Sequence, residues 1–193
     1  MRTRTLMAAG LMAATSVTVA AGNGASPAAF QSQILMEYVG QVVNGIPTPA
    51  GSQQYGNLVS VAGADPSLAF TFYTEATTTN VVANGPLRII DRTGTTTVYL
   101  APAAGSFDDP DSFRAGLPVQ VSTLRQQVIV DTSNGMFTVI NLNTVTDSNP
   151  FESRGAHMWL GIRGQTFRTR LTGQLNAPNA SPTGWFGGYA TWN

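Results

Sequence analysis

Short alternations of apolar and polar residues run through most of this chain and constrain its fold more than any other feature. In the segment 68–73, LAFTFY, every second residue is large and apolar, and the segment 167–172, FRTRLT, follows a similar pattern. Successive side chains of a β-strand point to opposite faces, so this spacing of two is typical of half-buried strands. No segment from Phe30 onward sustains the 3.6-residue spacing of an amphipathic helix. The sequence therefore predicts an all-β domain.

Turn residues separate these alternations and set the ends of the predicted strands. They occur at 84–86 (NGP), 92–94 (RTG), 134–135 (NG), 147–150 (DSNP) and 164–165 (GQ). Segments near 34–43 and 56–62 are predicted as two further strands, and Met158, Leu160 and Ile162 as another. Short strands joined by short turns favour a single antiparallel β-barrel of about eight strands, and a β-sandwich of the jelly-roll type is the alternative.

The hairpin around Asn134-Gly135 is the most specific local signal. Asn-Gly favours a type I′ turn because both residues tolerate positive φ. Such a turn would place Val130 opposite Val139, with Ile129 opposite position 140 on the other face. Both faces of this ribbon would then be partly apolar, and we expect both to be covered. A change in the phase of the apolar residues further predicts a bulge near Ser122-Thr123, of the kind that lets long strands curl.

The composition excludes several classes of function. The chain has 193 residues, no Cys, one His, and ten basic residues that balance ten acidic ones. A near-neutral protein has no long-range field that would gather DNA, so no nucleic-acid partner is expected. The absence of Cys removes thiolate chemistry, and one His cannot supply a multi-histidine metal site. We therefore expect neither a metal nor a cofactor.

The N-terminal segment has the features of a secretory signal peptide. Arg2 and Arg4 form a basic flank, an apolar stretch follows, and small residues end at Ala21. We interpret 1–21 as a signal peptide, 22–30 as a flexible leader and 31–193 as one barrel domain. The protein is then secreted or periplasmic, and the mature chain has no transmembrane segment, because no later stretch reaches the roughly 20 apolar residues that a spanning helix needs.

Few residues are candidates for catalysis. His157 is the one imidazole, and Glu75 and Tyr73 are further acid–base candidates. No nucleophile motif accompanies them, and a structural or surface role for His157 is the simpler interpretation. The carboxylates of the segment 108–111 (DDPD) resemble a calcium-binding loop only loosely, because the spacing of an EF-hand is missing. An exposed acidic loop is the simpler interpretation there too.

Candidate ligand-binding residues fall into an aromatic and a basic group. Arg163 would approach the two arginines of 168–170 if the turn at 164–165 closes a hairpin, and the three could bind a carboxylate or phosphate. The C-terminal segment 184–192 alternates aromatic residues with Gly, and we interpret it as a strand that closes the barrel rather than as a carbohydrate platform. The full set of candidates is Phe70, Phe72, Trp159, Arg163, Arg168 and Arg170.

The succession of long, curled antiparallel strands around a small core resembles the eight-stranded barrels of the dirigent and allene-oxide-cyclase type. The resemblance is one of architecture, without a shared motif, so it carries over no functional residue. A calycin-like barrel remains an equal alternative. We expect a secreted, non-enzymatic barrel that binds a small apolar or amphipathic molecule, or that serves as a surface interaction module. The alternative is a barrel-lumen enzyme of the isomerase or cyclase type.

Overall fold

The computed structural model describes residues 34–192, which form ten β-strands and one short 3₁₀ helix at Pro110–Arg114. The predicted signal peptide and leader lie outside the described residues. The strands are β1 (Ile34–Asn44), β2 (Gly51–Val61), β3 (Ala69–Asn84), β4 (Leu87–Ala101), β5 (Leu117–Asp131), β6 (Met136–Ser148), β7 (Phe151–Ser153), β8 (Ala156–Met158), β9 (Thr166–Leu175) and β10 (Gly184–Trp192). None of the helices in this part of the chain is long and apolar enough to cross a membrane.

Eight of the strands form a closed antiparallel barrel in the order β1-β10-β9-β6-β5-β4-β3-β2. The predicted all-β barrel is thereby confirmed, and a sandwich is excluded. As expected from the sequence, the C-terminal segment is the closing strand: β10 pairs with β9 on one side and with β1 on the other. Its glycines permit this double pairing at close range. A Cβ on Gly188, for example, would lie within 2.9 Å of the backbone of β9.

The β5–β6 hairpin is confirmed, but the predicted turn type and register are wrong. Val130 pairs with Phe137, and Val139 pairs with Val128. The turn is one of four residues, in which the N–H of Gly135 donates to the carbonyl of Asp131 and only Gly135 has a positive φ. The Asp131 carboxylate accepts from Ser133 and Asn134, and this local bonding favours the longer turn over a type I′ turn.

The outer face of this hairpin is also less covered than expected. Ile140 lies on that face and is exposed. The segment that packs outside the barrel is the β4–β5 connection, and it covers β2 and β3 instead. Its Gly105 exchanges two hydrogen bonds with the side chain of Asn57, and the carbonyl of Phe113 accepts from Thr71.

The turn predicted at Arg92-Thr93-Gly94 does not exist, since β4 runs unbroken from Leu87 to Ala101. Gly94 instead allows β3 and β4 to approach closely, because a Cβ there would lie 2.1 Å from the carbonyl oxygen of Glu75. The bulge predicted near Ser122-Thr123 is confirmed in position, because the pairing of β5 with β6 shifts register between Val121 and Ser122, with the extra residue in β6. A second bulge lies within β5 at Val119, between the residues that pair with Val98 and Tyr99, so both Val119 and Gln120 are buried.

The middle of the barrel holds a polar layer inside an otherwise apolar interior. The amide of Gln54 donates to Gln126, whose own amide donates to Asn141, each at 3.0 Å. The hydroxyls of Thr74 and Thr96 are 2.7 Å apart. These side chains form hydrogen bonds with one another, and the bonds offset the cost of removing their polar groups from water.

One end of the barrel, which we call the closed end, is filled by the connection between β6 and β9. This connection carries the small β7–β8 hairpin and inserts two apolar side chains into the core. Phe151 packs edge-on against Phe70 with ring centroids 5.3 Å apart, and Leu160 is buried. The strand predicted to run through Met158, Leu160 and Ile162 therefore ends at Met158, because the chain then turns in to cover the barrel.

Candidate functional site

His157 lies on β8, outside the barrel at the closed end. Its side chain is 67% exposed, and its Nδ1 lies 2.8 Å from Oε1 of the equally exposed Glu152. Trp159 lies beside it with ring centroids 6.4 Å apart and is also exposed. Both residues face solvent, and neither is among the residues that line the cavity described below.

Glu75 and Tyr73 lie on the outer face of β3. Glu75 is exposed, whereas Tyr73 is buried beneath the β4–β5 connection. The Tyr73 ring stacks on Tyr55 at 5.9 Å, and the Arg114 guanidinium lies 4.3 Å from the ring centre. Burial raises the pKa of Tyr73, although the positive charge of Arg114 opposes the effect. The structure thus brings Tyr73 into an outer aromatic cluster and does not join it with His157; the catalytic roles of all three stay predictions.

Phe70 and Phe72 point into the barrel and form part of its solid core. Phe70 contacts Phe151 at the closed end, and Phe72 contacts Tyr38 with ring centroids 5.1 Å apart. Phe72 borders a gap of about 10 Å³ beside the polar layer. A gap of this size has no room for an organic ligand.

The three predicted arginines do not form one group. Arg168 and Arg170 lie on the outer face of β9, where they line a shallow groove together with Tyr189 and Ile140. Arg163 lies in the turn before β9 and is not among the residues that line this groove. The acidic loop 108–111 runs into the 3₁₀ helix, where Asp111 pairs with Arg114. Within 34–192, no three His, Asp or Glu side chains lie close enough together to hold a metal ion.

A cavity of about 180 Å³ lies inside the barrel at the end opposite the closed end. We call this the open end; the β3–β4 and β5–β6 hairpin turns lie there. Asn44, Arg88, Thr132 and Thr183, near the ends of strands or in the connections, contribute polar groups to the lining. Its walls are apolar and come from six strands: Val42, Ile90, Val128, Val130, Phe137, Val139, Leu175 and Phe186.

Arg92 on β4 lines the cavity where it meets the polar layer. The side chain is only 6% exposed, and its guanidinium donates to four neutral oxygens on four different strands. Nη1 donates to Ser52 at 3.0 Å and to Gln126 at 3.3 Å. Nη2 donates to Asn44 at 3.0 Å, and Nε donates to Thr78 at 3.3 Å. No carboxylate pairs with Arg92 among the described residues.

Burial without a counter-ion makes the charge of Arg92 costly. Desolvation lowers the pKa of its guanidinium from its ordinary value to about 10, so the group is still protonated at neutral pH. This change corresponds to a penalty of about 3 kcal/mol on the charged form. Charged side chains are rarely buried in proteins without a counter-ion, so Arg92 is an unusual residue for a purely structural core.

The sequence alone predicted neither the cavity nor the buried position of Arg92. The cavity walls come from segments that it had predicted as strands, but it did not predict which apolar residues would pack and which would border free space. Arg92 was assigned to a turn because it precedes Thr93-Gly94. One pattern in the sequence could have placed it. Arg88, Ile90 and Arg92 are spaced by two, and residues with this spacing on a continuous strand share a face.

Neither a family model, nor a curated protein, nor a solved structure matches this chain. The fold and the site alone therefore define its class: an eight-stranded antiparallel barrel that is filled at one end and holds an apolar cavity with a buried arginine at the other.

Proposed function

We propose that this protein binds a small molecule with an apolar body in the cavity at the open end of the barrel. The observation that carries the proposal is the cavity itself, about 180 Å³ in volume and walled by eight apolar side chains. Ligand sites are usually concave, mostly apolar and supplied with a few polar groups, and this cavity has all three properties.

The construction of the walls supports binding with little reorganisation. The apolar side chains stand on strands that are hydrogen-bonded on both sides, because the barrel has no free edge. A preformed site loses less entropy when a ligand enters than a flexible one does. An engineered apolar cavity of about 150 Å³ accepts benzene, so an aromatic ring or a short alkyl chain is the expected size of the bound group.

A series of straight-chain primary alcohols tests this proposal by calorimetry. Each buried methylene contributes about 0.8 kcal/mol, so the affinity should rise about fourfold per carbon and then stop rising once the chain fills the cavity. Affinities that rise without a limit, or no binding by any member of the series, would contradict the proposal. Native mass spectrometry of the protein from its own host should also reveal a co-purifying small molecule.

Two substitutions on neighbouring positions of β6 locate the binding. Val139→Phe places a ring into the cavity and should abolish alcohol binding, whereas Ile140→Phe adds the same ring to the outer face and should leave it unchanged. Circular dichroism and thermal melts first establish that both variants fold. Equal binding by the two folded variants would place the alcohol outside the cavity and reject the proposal.

We also propose that the protein acts outside the cytoplasm, as a secreted or periplasmic binder rather than an enzyme. The basic flank, apolar stretch and small residues of 1–21 support the first part. N-terminal sequencing of the exported protein should begin at or near Gly22. Recovery of the full-length chain from the cytosol alone would refute export. A turnover that His157→Gln abolished in a folded protein would instead favour the enzymatic alternative.

A further inference from the structure

The charge inside the cavity has a definite sign. Arg88 and Arg92 both line the cavity, and none of the other lining residues is acidic or basic. The two arginines are four positions apart on β4, so they share a face and their Cα atoms are about 13 Å apart. Arg88 is exposed at the mouth, and Arg92 is buried further in. A ligand that enters the cavity therefore meets two positive charges in succession.

The guanidinium of Arg92 also has unused hydrogen-bonding capacity. Its five N–H groups make four hydrogen bonds, one from Nε, two from Nη1 and one from Nη2. One N–H on Nη2 has no acceptor among the described residues. The four bonds fix the plane of the guanidinium, and all four acceptors are neutral, so the charge is held in place without being neutralised.

We propose that the ligand is a small amphipathic monocarboxylate, whose carboxylate lies against Arg92 and whose apolar body fills the cavity, with Arg88 adding positive charge at the mouth. This inference rests on the proposed function and adds the chemistry of the head group. A carboxylate oxygen can accept the remaining N–H of Nη2, and the single negative charge is the counter-charge that buried Arg92 lacks. The guanidinium of Arg92 loses its water when the protein folds, so ligand binding does not have to remove that water again. A carboxylate should therefore interact more favourably with Arg92 than with an arginine in solution.

A matched set of eight-carbon ligands tests the head group: octanoate, octanol, octylamine and octyl phosphate, each titrated by calorimetry at pH 7. A hydrogen bond to a charged group corresponds to roughly ten- to hundredfold in affinity. Octanoate should bind at least tenfold more tightly than octanol, and octylammonium should bind most weakly. Equal binding of octanoate and octanol would overturn this inference while leaving the proposed function intact, whereas no binding by any ligand would remove both.

A substitution then assigns the preference to Arg92. Arg92→Met keeps a long side chain and removes the charge, so octanoate should lose its advantage while octanol still binds. Arg125→Met is the matched control, because it removes the same charge from an exposed position outside the cavity lining. Arg92→Lys should keep part of the preference, and this separates a role of the charge from a role in packing.

The wild-type protein alone keeps the inference testable if Arg92→Met does not fold. The advantage of octanoate over octanol should then shrink only modestly between 50 and 500 mM salt, because a buried ion pair is screened less than an exposed one. Complete loss of the advantage at high salt would point to binding at a surface arginine and reject the assignment to Arg92. Tighter binding of octyl phosphate than of octanoate would reject the carboxylate.

Discussion

The two ends of the barrel are built from the same eight strands and differ in what the connections do. At the closed end, the long connection between β6 and β9 folds back and inserts Phe151 and Leu160 among the core side chains. At the open end, the strands are joined by four connections, 45–50, 85–86, 132–135 and 176–183. None of these connections contributes a side chain to the apolar core, so the space between the strands stays free.

The difference between the ends arises from what the connections insert rather than from the composition of the strands. Both ends are lined by Val, Phe and Leu, but at the open end Ile90 and Leu175 are only partly buried because no connection packs over them. The open end also holds the unneutralised Arg92, which destabilises the fold unless something else compensates for it. Stability is therefore concentrated at one end and binding capacity at the other.

The largest expected effect is the loss of an aromatic ring at the closed end. Phe167 is 2% exposed and packs edge-on against Trp192 with ring centroids 6.0 Å apart. Phe167→Ala should lower the free energy of unfolding by about 3–5 kcal/mol, measured by urea denaturation. A loss of less than 1 kcal/mol would mean that the closed end does not carry the stability assigned to it.

Adding one methyl group should have opposite effects at the two ends. Val145 near the closed end is 1% exposed, so Val145→Ile should overpack the core and cost about 1–3 kcal/mol. Val139 on the same strand borders the cavity, so Val139→Ile should be neutral or stabilise by up to about 1 kcal/mol. Thermal melts of the two variants measure the difference, and equal destabilisation would show that the cavity is not free space.

The cost of the buried charge at the open end should depend on pH. Folding lowers the pKa of Arg92 to about 10, well below its value in the unfolded chain, so the unfolded chain holds this proton more tightly than the folded one. Raising the pH from 8 to 11 therefore stabilises the wild type relative to Arg92→Met, by about 1 kcal/mol. Urea denaturation of both proteins at the two pH values measures this change. A difference that is constant with pH would show that Arg92 carries no desolvation penalty.

The smallest effect is expected at the exposed hairpin of the closed end. His157 and Glu152 are both largely in water, where an ion pair contributes little. His157→Gln should change the free energy of unfolding by less than about 0.5 kcal/mol and leave ligand binding unaltered. A larger loss, seen in the same denaturation measurement, would show that the β7–β8 hairpin helps to hold the connection between β6 and β9 in place.

Local patterns in the sequence were sufficient for the strands and insufficient for the site. The alternation in 68–73 predicts β3, and that in 167–172 predicts β9, because a half-buried strand needs only its own residues to show its period. The turn of β5–β6 was predicted at the right place but with the wrong register. The register depends on the hydrogen bonds that the Asp131 carboxylate accepts from Ser133 and Asn134, which favour a longer turn. The Asn-Gly dipeptide alone does not show that these bonds form.

The sequence by itself determined that the chain is all-β and where most of its strands lie, because period-two alternation and turn residues are local properties. The tertiary structure decided that Arg92 is buried and that a cavity adjoins it. Three of its hydrogen-bond acceptors, Asn44, Ser52 and Gln126, are 48, 40 and 34 residues away along the chain. Only closure of the barrel brings such distant residues together, and the end that is filled is the one where a connection inserts apolar side chains into the core.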